Sequence, residues 1–198
     1  MVSAIHQTVQ YLTTSSGTMP DPAKVVDELL QAEKAARQQR IRHSYTQLIG
    51  TWQLGFITGT KRSRQHAGVL LGAGRVIPSW MTIQITYQSS DEFPNYGSVE
   101  NSVKMGPFRL ALIGSTRFWQ GTNILSFDFG HMTVSLSQFT LYNGTMPGGK
   151  TRESHFYDQE LKEQAFFNYF LVEDSHIAAR GRGGGLALWI RVRTATRD

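Results

Sequence analysis

The stretch Met81-Thr82-Ile83-Gln84-Ile85-Thr86-Tyr87 alternates apolar and polar side chains without a break. Successive side chains of a β-strand point to opposite faces of a sheet, so a period of two predicts a strand with one buried face. The same period recurs from Gly50 onward in short runs that end at Gly, Pro, Asn or Ser. The runs are marked by Trp52, Leu54 and Phe56; Val99 and Val103; Phe108, Leu110 and Leu112; Leu125, Phe127 and Phe129; Val134 and Leu136; Phe139 and Leu141.

The remaining segments continue this β-rich pattern. Asn143-Gly144 is a strong signal for a tight turn, and residues 147–164 are polar enough to form a long loop. Two more strands are expected at about residues 166–172 and 184–192, with the glycine-rich 180–185 stretch as the turn before the last one. Many short strands without interleaved helices predict a mainly β fold, an antiparallel meander that closes as a barrel or stacks as a sandwich.

The first 44 residues differ from the rest and are expected to form a polar tail followed by one helix. Residues 1–20 are rich in Ser and Thr. Asp21-Pro22 is a typical helix start, because Asp caps the first turn and Pro fits the first helical position. Val25, Val26, Leu29 and Leu30 then form an apolar stripe at helical spacing. The sequence therefore predicts a β domain over residues 45–198 with an N-terminal helix before it.

Composition limits the class of protein. The chain has 198 residues, 40% of them hydrophobic and 18% charged, which is typical of a globular domain. It contains no cysteine, so disulfides, thiolate metal sites and a cysteine nucleophile are excluded. The first twenty residues show neither an apolar run nor a small-residue cleavage site, so we expect no signal peptide and a cytoplasmic location.

The net charge of +5 favours an anionic partner. Seven cations fall within residues 34–64, a window that has no Asp or Glu, and they predict peripheral contact with an anionic membrane, with a merely solvated face as the alternative. These cations are Lys34, Arg37, Arg40, Arg42, Lys61, Arg62 and Arg64. The Arg180-Gly181-Arg182-Gly183-Gly184 stretch looks like a nucleic-acid-binding segment, but a single unit between two strands is better explained as a turn, which argues against nucleic acid as the partner.

Signals for catalysis are absent from the sequence. It has no nucleophile elbow and no phosphate-binding loop, and its six histidines lack the spacing of metal ligands. We therefore expect no enzyme activity, no metal and no cofactor. One enzyme class stays open as an alternative, a bilin lyase, and the strand residues that would serve it are Glu100, Arg109 and Asp128.

Three segments, taken in order, resemble the plastid lipid-associated protein family, also called fibrillins. They are Leu48-Ile49-Gly50-Thr51-Trp52-Gln53-Leu54, then Val99-Glu100-Asn101-Ser102-Val103, and finally Leu171-Val172-Glu173-Asp174 with Arg180-Gly181 before an apolar strand. The Gly50-x-Trp52 pair is also typical of lipocalin barrels, in which an Arg of the last strand stacks on the Trp; here Arg191 and Arg193 are the candidates. The longer 181–185 turn and Trp189 depart from the family pattern. The transit peptide of plant members is missing, which fits a cyanobacterial member or a mature form.

The resemblance implies a lipocalin-like (calycin) barrel that binds a lipid, a quinone or a carotenoid-like isoprenoid at thylakoid membranes, in a plastid if the source is eukaryotic. Independently, a small barrel lined with aromatic side chains has the size to enclose one apolar molecule. The residues predicted to line that cavity are Trp52, Phe56, Ile83, Ile85, Phe127, Phe129 and Phe139. The alternatives are a barrel filled by its own side chains, with a structural or assembly role, and the lyase.

Overall fold

The protein is described by a computed structural model for residues 3–14, 18, 20–59, 74–146 and 155–192. Within these ranges three helices precede or open the sheet: α1 (Ala4–Thr14), α2 (Pro22–Gln38) and α3 (Tyr45–Leu48). The strands are β1 (Gly50–Ile57), β2 (Arg75–Val76), β3 (Met81–Ser89), β4 (Tyr96–Met105), β5 (Phe108–Phe118), β6 (Ile124–Phe127), β7 (His131–Leu136), β8 (Phe139–Thr145), β9 (Ala165–Val172), β10 (His176–Gly181) and β11 (Leu186–Arg191).

Eight of these strands close into a barrel. Around its circumference the order is β1, β3, β4, β5, β6, β9, β10 and β11, and β11 pairs with β1 to complete the ring. Every pairing is antiparallel. Closure leaves no free edge within the ring, which removes the unpaired backbone groups that an open sheet would expose. The predicted antiparallel barrel with an N-terminal helix is confirmed.

The hairpin of β7 and β8 lies outside the closed ring. Strand β5 has two partners end to end along one edge: its residues 116–118 pair with β6, whereas its residues 108–113 pair with β7. Strand β8 then pairs with β7 alone among the described strands. The ends of β3, β4 and β5 around Met81, Met105 and Phe108 therefore continue into β7 and β8 as an open sheet, which we call the extension.

Halfway along β1, its large buried side chains switch from one face of the sheet to the other. Trp52 and Leu54 belong to the core inside the barrel, but the register with β11 shifts between Leu54 and Phe56. The extra residue in this β-bulge turns Phe56 to the outside, where it packs with the helices. Gly55 sits at the shift, and a Cβ there would lie 2.1 Å from Leu12 Cδ1 of α1. Glycine here leaves room for the Leu12 side chain of α1 against the β1 backbone.

Helix α1 corrects the expectation of a loose polar tail. Its residues Ala4, Ile5 and Thr8 are buried, and they lie in the space between α2 and the outer face of the barrel. The Glu28 carboxylate of α2 accepts hydrogen bonds from the backbone amides of Ala4 and Ile5, which satisfies the free N–H groups at the start of α1. Residues 4–14 of the expected tail thus form a helix, and Glu28 of α2 caps its first turn.

Helix α2 begins and is anchored as its sequence suggests. Asp21 Oδ1 accepts a hydrogen bond from the Ala23 amide at 3.0 Å, and Pro22 is the first helical residue. Its apolar stripe buries Val25 and Leu29 completely against the barrel. Near its C-terminal end Glu33 pairs with Arg180 of β10 through two hydrogen bonds. The predicted helix start is confirmed.

One turn prediction is wrong, and one strand was missed. Asn143 and Gly144 lie within β8 rather than in a turn, and the turn of this hairpin falls at residues 137–138, where Ser137 adopts a φ of 55°. Strand β10 was not predicted, because its residues Ile177, Ala178 and Ala179 are buried on both faces and so lack alternation. One side of β10 faces the barrel interior and the other side faces the helices.

Candidate functional site

The barrel floor is the end closed by α3, and Trp52 is its central residue. The side chain is fully buried, and its Nε1 donates a hydrogen bond to the Leu48 carbonyl of α3 at 2.7 Å. The Arg191 guanidinium lies over the ring, with Cζ 3.9 Å from the ring centroid. The predicted cation–π contact with Arg191 is confirmed, whereas Arg193 lies outside the described residues. We call Leu48, Trp52, Tyr87, Tyr169 and Arg191 the floor.

The glycine of the Gly50-x-Trp52 pair has a geometric reason. Gly50 adopts a φ of 123°, a conformation that side-chain-bearing residues avoid. A Cβ at this position would lie 2.7 Å from Arg191 Nη1. The Arg191 guanidinium also donates to the backbone carbonyls of Ile49 and Asp174, which fixes it across the barrel end. Glycine is therefore required for the arginine to reach the Trp52 ring.

A pair of buried tyrosines fills the barrel just above Trp52. Tyr87 and Tyr169 are fully buried, and their hydroxyls form a hydrogen bond of 2.8 Å. Burial raises the pKa of both phenols well above the usual value, so both stay neutral at physiological pH. The Tyr45 hydroxyl lies 2.6 Å from Thr116 Oγ1 in the same region. The lower barrel is thus packed by the protein's own side chains.

An aromatic layer lies above the floor. The Phe127 ring centroid is 5.5 Å from that of Phe129 and 5.1 Å from that of Phe167, and Phe167 is 5.2 Å from Trp189. Phe127 and Ile85 are buried in the interior core, and Ile83 and Phe129 are half-buried against it. Five of the predicted lining residues are therefore together inside the barrel: Trp52, Ile83, Ile85, Phe127 and Phe129.

The inward face continues beyond the barrel onto the extension. Side chains of directly paired residues share a face, so each row of partners across the strands can be followed from the interior outward. The row that starts at Ile83 runs through Val103, Leu110 and Val134 to Tyr142. The rows above and below it run from Met81 through Met105, Phe108 and Leu136 to Phe139, and from Ile85 through Asn101, Leu112 and Met132 to Gly144.

Nearly every side chain in these rows is apolar, and exposure increases toward β8. Ile83, Leu110 and Val134 are half-buried, whereas Leu136 and Phe139 are exposed. The opposite face of the same strands carries polar residues such as Gln84, Lys104 and Arg109. We call the apolar face the apolar wall; its members are Met81, Ile83, Val103, Met105, Phe108, Leu110, Leu112, Met132, Val134, Leu136, Phe139 and Tyr142.

Two predicted cavity residues lie elsewhere, and both are corrections. Phe56 is fully buried between the barrel and the helices, because the bulge at Gly55 reverses the alternation. Phe139 is 65% exposed and lies on the edge strand β8, because β7 leaves the barrel ring. Neither side chain lines the barrel interior. Simple parity within a strand placed them wrongly, since it contains no information about bulges or strand pairing.

The other predicted side chains divide between the surface and the undescribed residues. Lys34, Arg37, Arg40 and Arg42 are exposed at the C-terminal end of α2, and Lys61, Arg62 and Arg64 lie outside the described residues. Glu100 and Arg109, named for a lyase, form an ion pair with each other on the outer face. Asp128 accepts a hydrogen bond from the Phe129 amide next to it. Among the described helices, none has the length and hydropathy to cross a bilayer.

Sequence reasoning missed most of the apolar wall and the tyrosine pair. The inward position of Tyr87 could have been predicted from the sequence, because Tyr87 and Ile85 belong to one uninterrupted alternating run. Tyr169 and Phe167 were not recoverable, because Phe166 and Phe170 are also aromatic and β9 shows no clear alternation. The wall as a surface depends on strand pairing, which no local pattern shows.

Similarity to known proteins is found among solved structures. The chain matches no protein-family model, and no curated protein matches its sequence. Among solved structures, it is similar to a redesigned β-barrel, at 10% identity and a TM-score of 0.36, over 75% of this chain and 94% of that one. It is also similar to a protein from Burkholderia xenovorans, at 14% identity and a TM-score of 0.33, over 82% of this chain and 89% of that one.

Proposed function

We propose that the protein binds a hydrophobic small molecule, such as a lipid, a quinone or a carotenoid-like isoprenoid, at the open end of its barrel. The observation that carries the proposal is the apolar wall, which joins the aromatic layer of the interior to exposed side chains on β8. Monomeric proteins rarely expose a contiguous apolar surface of this kind without a binding role. The mouth of a β-barrel is a typical position for an apolar ligand.

The position of the site differs from the one the sequence suggests. The floor is filled by Trp52, Tyr87 and Tyr169, so a ligand enters from the opposite end and stops at the aromatic layer of Phe127 and Phe129. The flat rings there offer a large contact area to a conjugated or acyl chain. The resemblance to plastid lipid-associated proteins supports the same class of ligand. The protein acts by binding, and we assign it no catalytic residue.

The matched pair Leu112 and Ile113 tests this proposal. These residues are adjacent isomers in β5, but Leu112 belongs to the apolar wall, whereas Ile113 faces the outer side. Leu112→Gln should weaken binding of an apolar fluorescent probe about tenfold or more, because it places an amide against the ligand; this equals about 1.4 kcal/mol. Ile113→Gln should leave binding within about twofold, which is about 0.4 kcal/mol.

A titration of the purified protein with the probe, together with native mass spectrometry before and after solvent extraction, provides the readout. Equal losses in both variants would contradict the placement of the site on the wall. If the intact protein binds no apolar compound at all, the proposed function is wrong.

In that case a second candidate function takes its place, a structural or assembly role without a ligand. The packing of the floor favours it, because the lower barrel is already filled by side chains. The exposed edge strand β8 then becomes the contact for a protein partner, since unpaired strand edges readily accept another strand.

The same proposal includes contact with an anionic photosynthetic membrane through α2. Lys34, Arg37 and Arg40 are exposed there, and Leu30 and Ile41 are exposed apolar side chains among them. Cations around a small apolar surface are typical of helices that lie on a membrane, and each cation contributes about 1 kcal/mol at an anionic surface.

Flotation with anionic and neutral liposomes tests this contact. Arg37→Glu should reduce the fraction bound to anionic vesicles. Lys24→Glu serves as the control, because Lys24 is exposed in the first turn of the same helix, where an acidic residue is well tolerated. Equal binding to anionic and neutral liposomes would contradict a role for this end of α2, and so would an equal loss of binding in both variants.

A further inference from the structure

A second site lies on the outside of the barrel, away from the apolar wall. It is an open groove of about 570 Å³ between the turn that joins β3 to β4 and the segment 155–160. Three aromatic side chains line it, Phe93, Tyr96 and Tyr157, with serines beside them at positions 89, 90 and 98. Neither the floor nor the apolar wall shares a residue with this groove.

The aromatic rings of the groove are held in place by their neighbours. Tyr96 makes edge-to-face contacts with Phe93 at 5.7 Å and with Tyr157 at 5.0 Å between ring centroids. Phe156 is fully buried directly before Tyr157, and Arg117 donates a hydrogen bond to the Tyr157 carbonyl at 3.1 Å. Even so, Phe93 is 51% exposed and Tyr157 is 42% exposed. The groove therefore offers ordered apolar rings to solvent, which lowers the entropy cost of binding.

Free hydroxyls lie beside these rings. Among the described residues, the hydroxyls of Ser89, Tyr96 and Tyr157 have no hydrogen-bond partner. Ser90 is different, because its Oγ accepts hydrogen bonds from the backbone amides of Glu92 and Phe93 and so shapes the turn. The groove thus combines apolar rings with unused donors that can meet carbonyl oxygens of a ligand.

The charge at the groove opposes that of the whole chain. The turn carries Asp91 and Glu92, both exposed, and residues 89–98 contain no Lys or Arg, although the protein has a net charge of +5. These two carboxylates outnumber the nearby Arg117 guanidinium, whose Cζ lies 4.1 Å from the Trp119 ring centroid and 5.8 Å from that of Tyr96. The rim is therefore acidic, which disfavours phosphate groups, anionic membranes and nucleic acids as occupants.

We propose that this groove binds a proline-rich peptide segment of a partner protein, with Lys or Arg beside the prolines. A polyproline II segment has no internal hydrogen bonds, so its carbonyls are free to accept from the tyrosine and serine hydroxyls. Its proline rings pack between aromatic side chains, as in other aromatic-lined peptide grooves. The flanking cation pairs with Asp91 or Glu92 at the rim.

A small quaternary ammonium ion fits the groove less well. Such ligands need several ring faces turned to one centre, whereas Phe93 and Tyr157 both meet Tyr96 edge to face. The Arg117 guanidinium is also 5.8 Å from the Tyr96 ring centroid, where it repels a second cation. An extended peptide avoids both difficulties because its own cation sits at the rim.

Fluorescence polarisation with labelled twelve-residue peptides tests the proposal. The set has a Pro-x-x-Pro core flanked by Arg or Lys, with matched peptides that carry Glu flanks or Ala in place of Pro. Phe93→Ala and Tyr157→Ala should each weaken binding of the basic proline peptides at least tenfold, and Phe139→Ala, a control at an exposed ring on β8, should change it less than twofold. Asp91→Asn combined with Glu92→Gln should remove the preference for basic over acidic flanks.

Three results would overturn the proposal. They are no binding by any peptide, equal binding of the alanine-substituted peptides, and a loss in Phe139→Ala as large as in Phe93→Ala. Because Phe93 is an exposed turn residue, its variant should fold, and circular dichroism checks this. The apolar-probe titration is independent of these outcomes, since its site shares no residue with the groove.

Discussion

The floor and the apolar wall lie on the same inward face of the sheet, yet the floor is buried and the wall becomes exposed toward β8. Strands β4 and β5 have 10 and 11 residues, whereas β10 and β11, across the barrel, have 6 each. The short strands close the ring only at the floor end, so the excess length of β4 and β5 continues as an open sheet. Tyr87 and Phe108 therefore have different environments because of strand length, not because of residue type.

Removing Trp52 is expected to have the largest effect on stability. Trp52→Ala should lower the free energy of unfolding by about 3–5 kcal/mol, because it leaves a large cavity under Arg191. Urea denaturation followed by circular dichroism measures this, with Phe139→Ala as the control for an aromatic residue on the wall. A loss below about 1 kcal/mol for Trp52→Ala would show that the floor is not the closed, packed end described above.

The buried tyrosine pair should give the next largest effect. Tyr169→Phe leaves the Tyr87 hydroxyl without its partner in a dry interior, at a cost of about 1–3 kcal/mol. The double variant Tyr87→Phe with Tyr169→Phe should cost less than the sum of the single variants, because no hydroxyl is then left unpaired. Additive losses in the double-mutant cycle would mean that water reaches these hydroxyls and that the lower barrel is not filled.

His176 gives a smaller effect that depends on pH. The residue is buried at the start of β10 next to α1, and burial lowers its pKa. Glu173, with Oε2 3.8 Å from Nε2, raises the pKa, and His6 of α1, 5.7 Å away between ring centroids, lowers it. Because the pKa is lower in the folded state, the neutral ring favours folding above the unfolded value of about 6.5. This contribution is lost as the pH falls through the lowered folded pKa.

We therefore expect the urea concentration at the denaturation midpoint to decrease when the pH is lowered from 7.5 to 5. The decrease should be smaller in His176→Gln. His43 is also partly buried with a lowered pKa, so His43→Gln is a needed comparison. An unchanged pH profile in His176→Gln would contradict the role of this side chain.

Substitutions at the outer end of the wall should have the smallest effect on stability. Phe139→Ser changes an exposed side chain on β8, so the free energy of unfolding should stay within about 0.5 kcal/mol of the parent. Self-association, measured by dynamic light scattering, should decrease, because exposed apolar edge strands promote it. A large loss of stability would show that other parts of the chain cover this end of the wall.

Local patterns were sufficient for those parts of the fold that depend on neighbours in sequence. The start of α2 at Asp21-Pro22 and the strand around Ile83 and Ile85 were predicted from residue type and spacing. The contact of Trp52 with an arginine of the last strand was predicted from the lipocalin motif, with Arg191 and Arg193 as candidates. Each follows from a cap, an alternation or a motif with a clear physical cause.

The failures share a different cause, which is contact between distant segments. Phe56 turns outward because the register of β1 with β11 shifts at Gly55, and Phe139 leaves the barrel because β6 and β7 share one edge of β5. Helix α1 itself was missed, since much of its stabilisation comes from Glu28 of α2 and from the barrel surface. The candidate site was therefore predicted in its chemistry but not in its position.

The change of face in β1 makes one strand a member of two cores. Its lower half, with Trp52, holds the barrel interior together, and its upper half, with Phe56, holds the helices against the outside. Neither core can open without disturbing the backbone hydrogen bonds of this strand. In native-state hydrogen exchange the amides of α2 and those of the floor should therefore open as one cooperative unit, with similar protection, although they lie on opposite sides of the barrel wall.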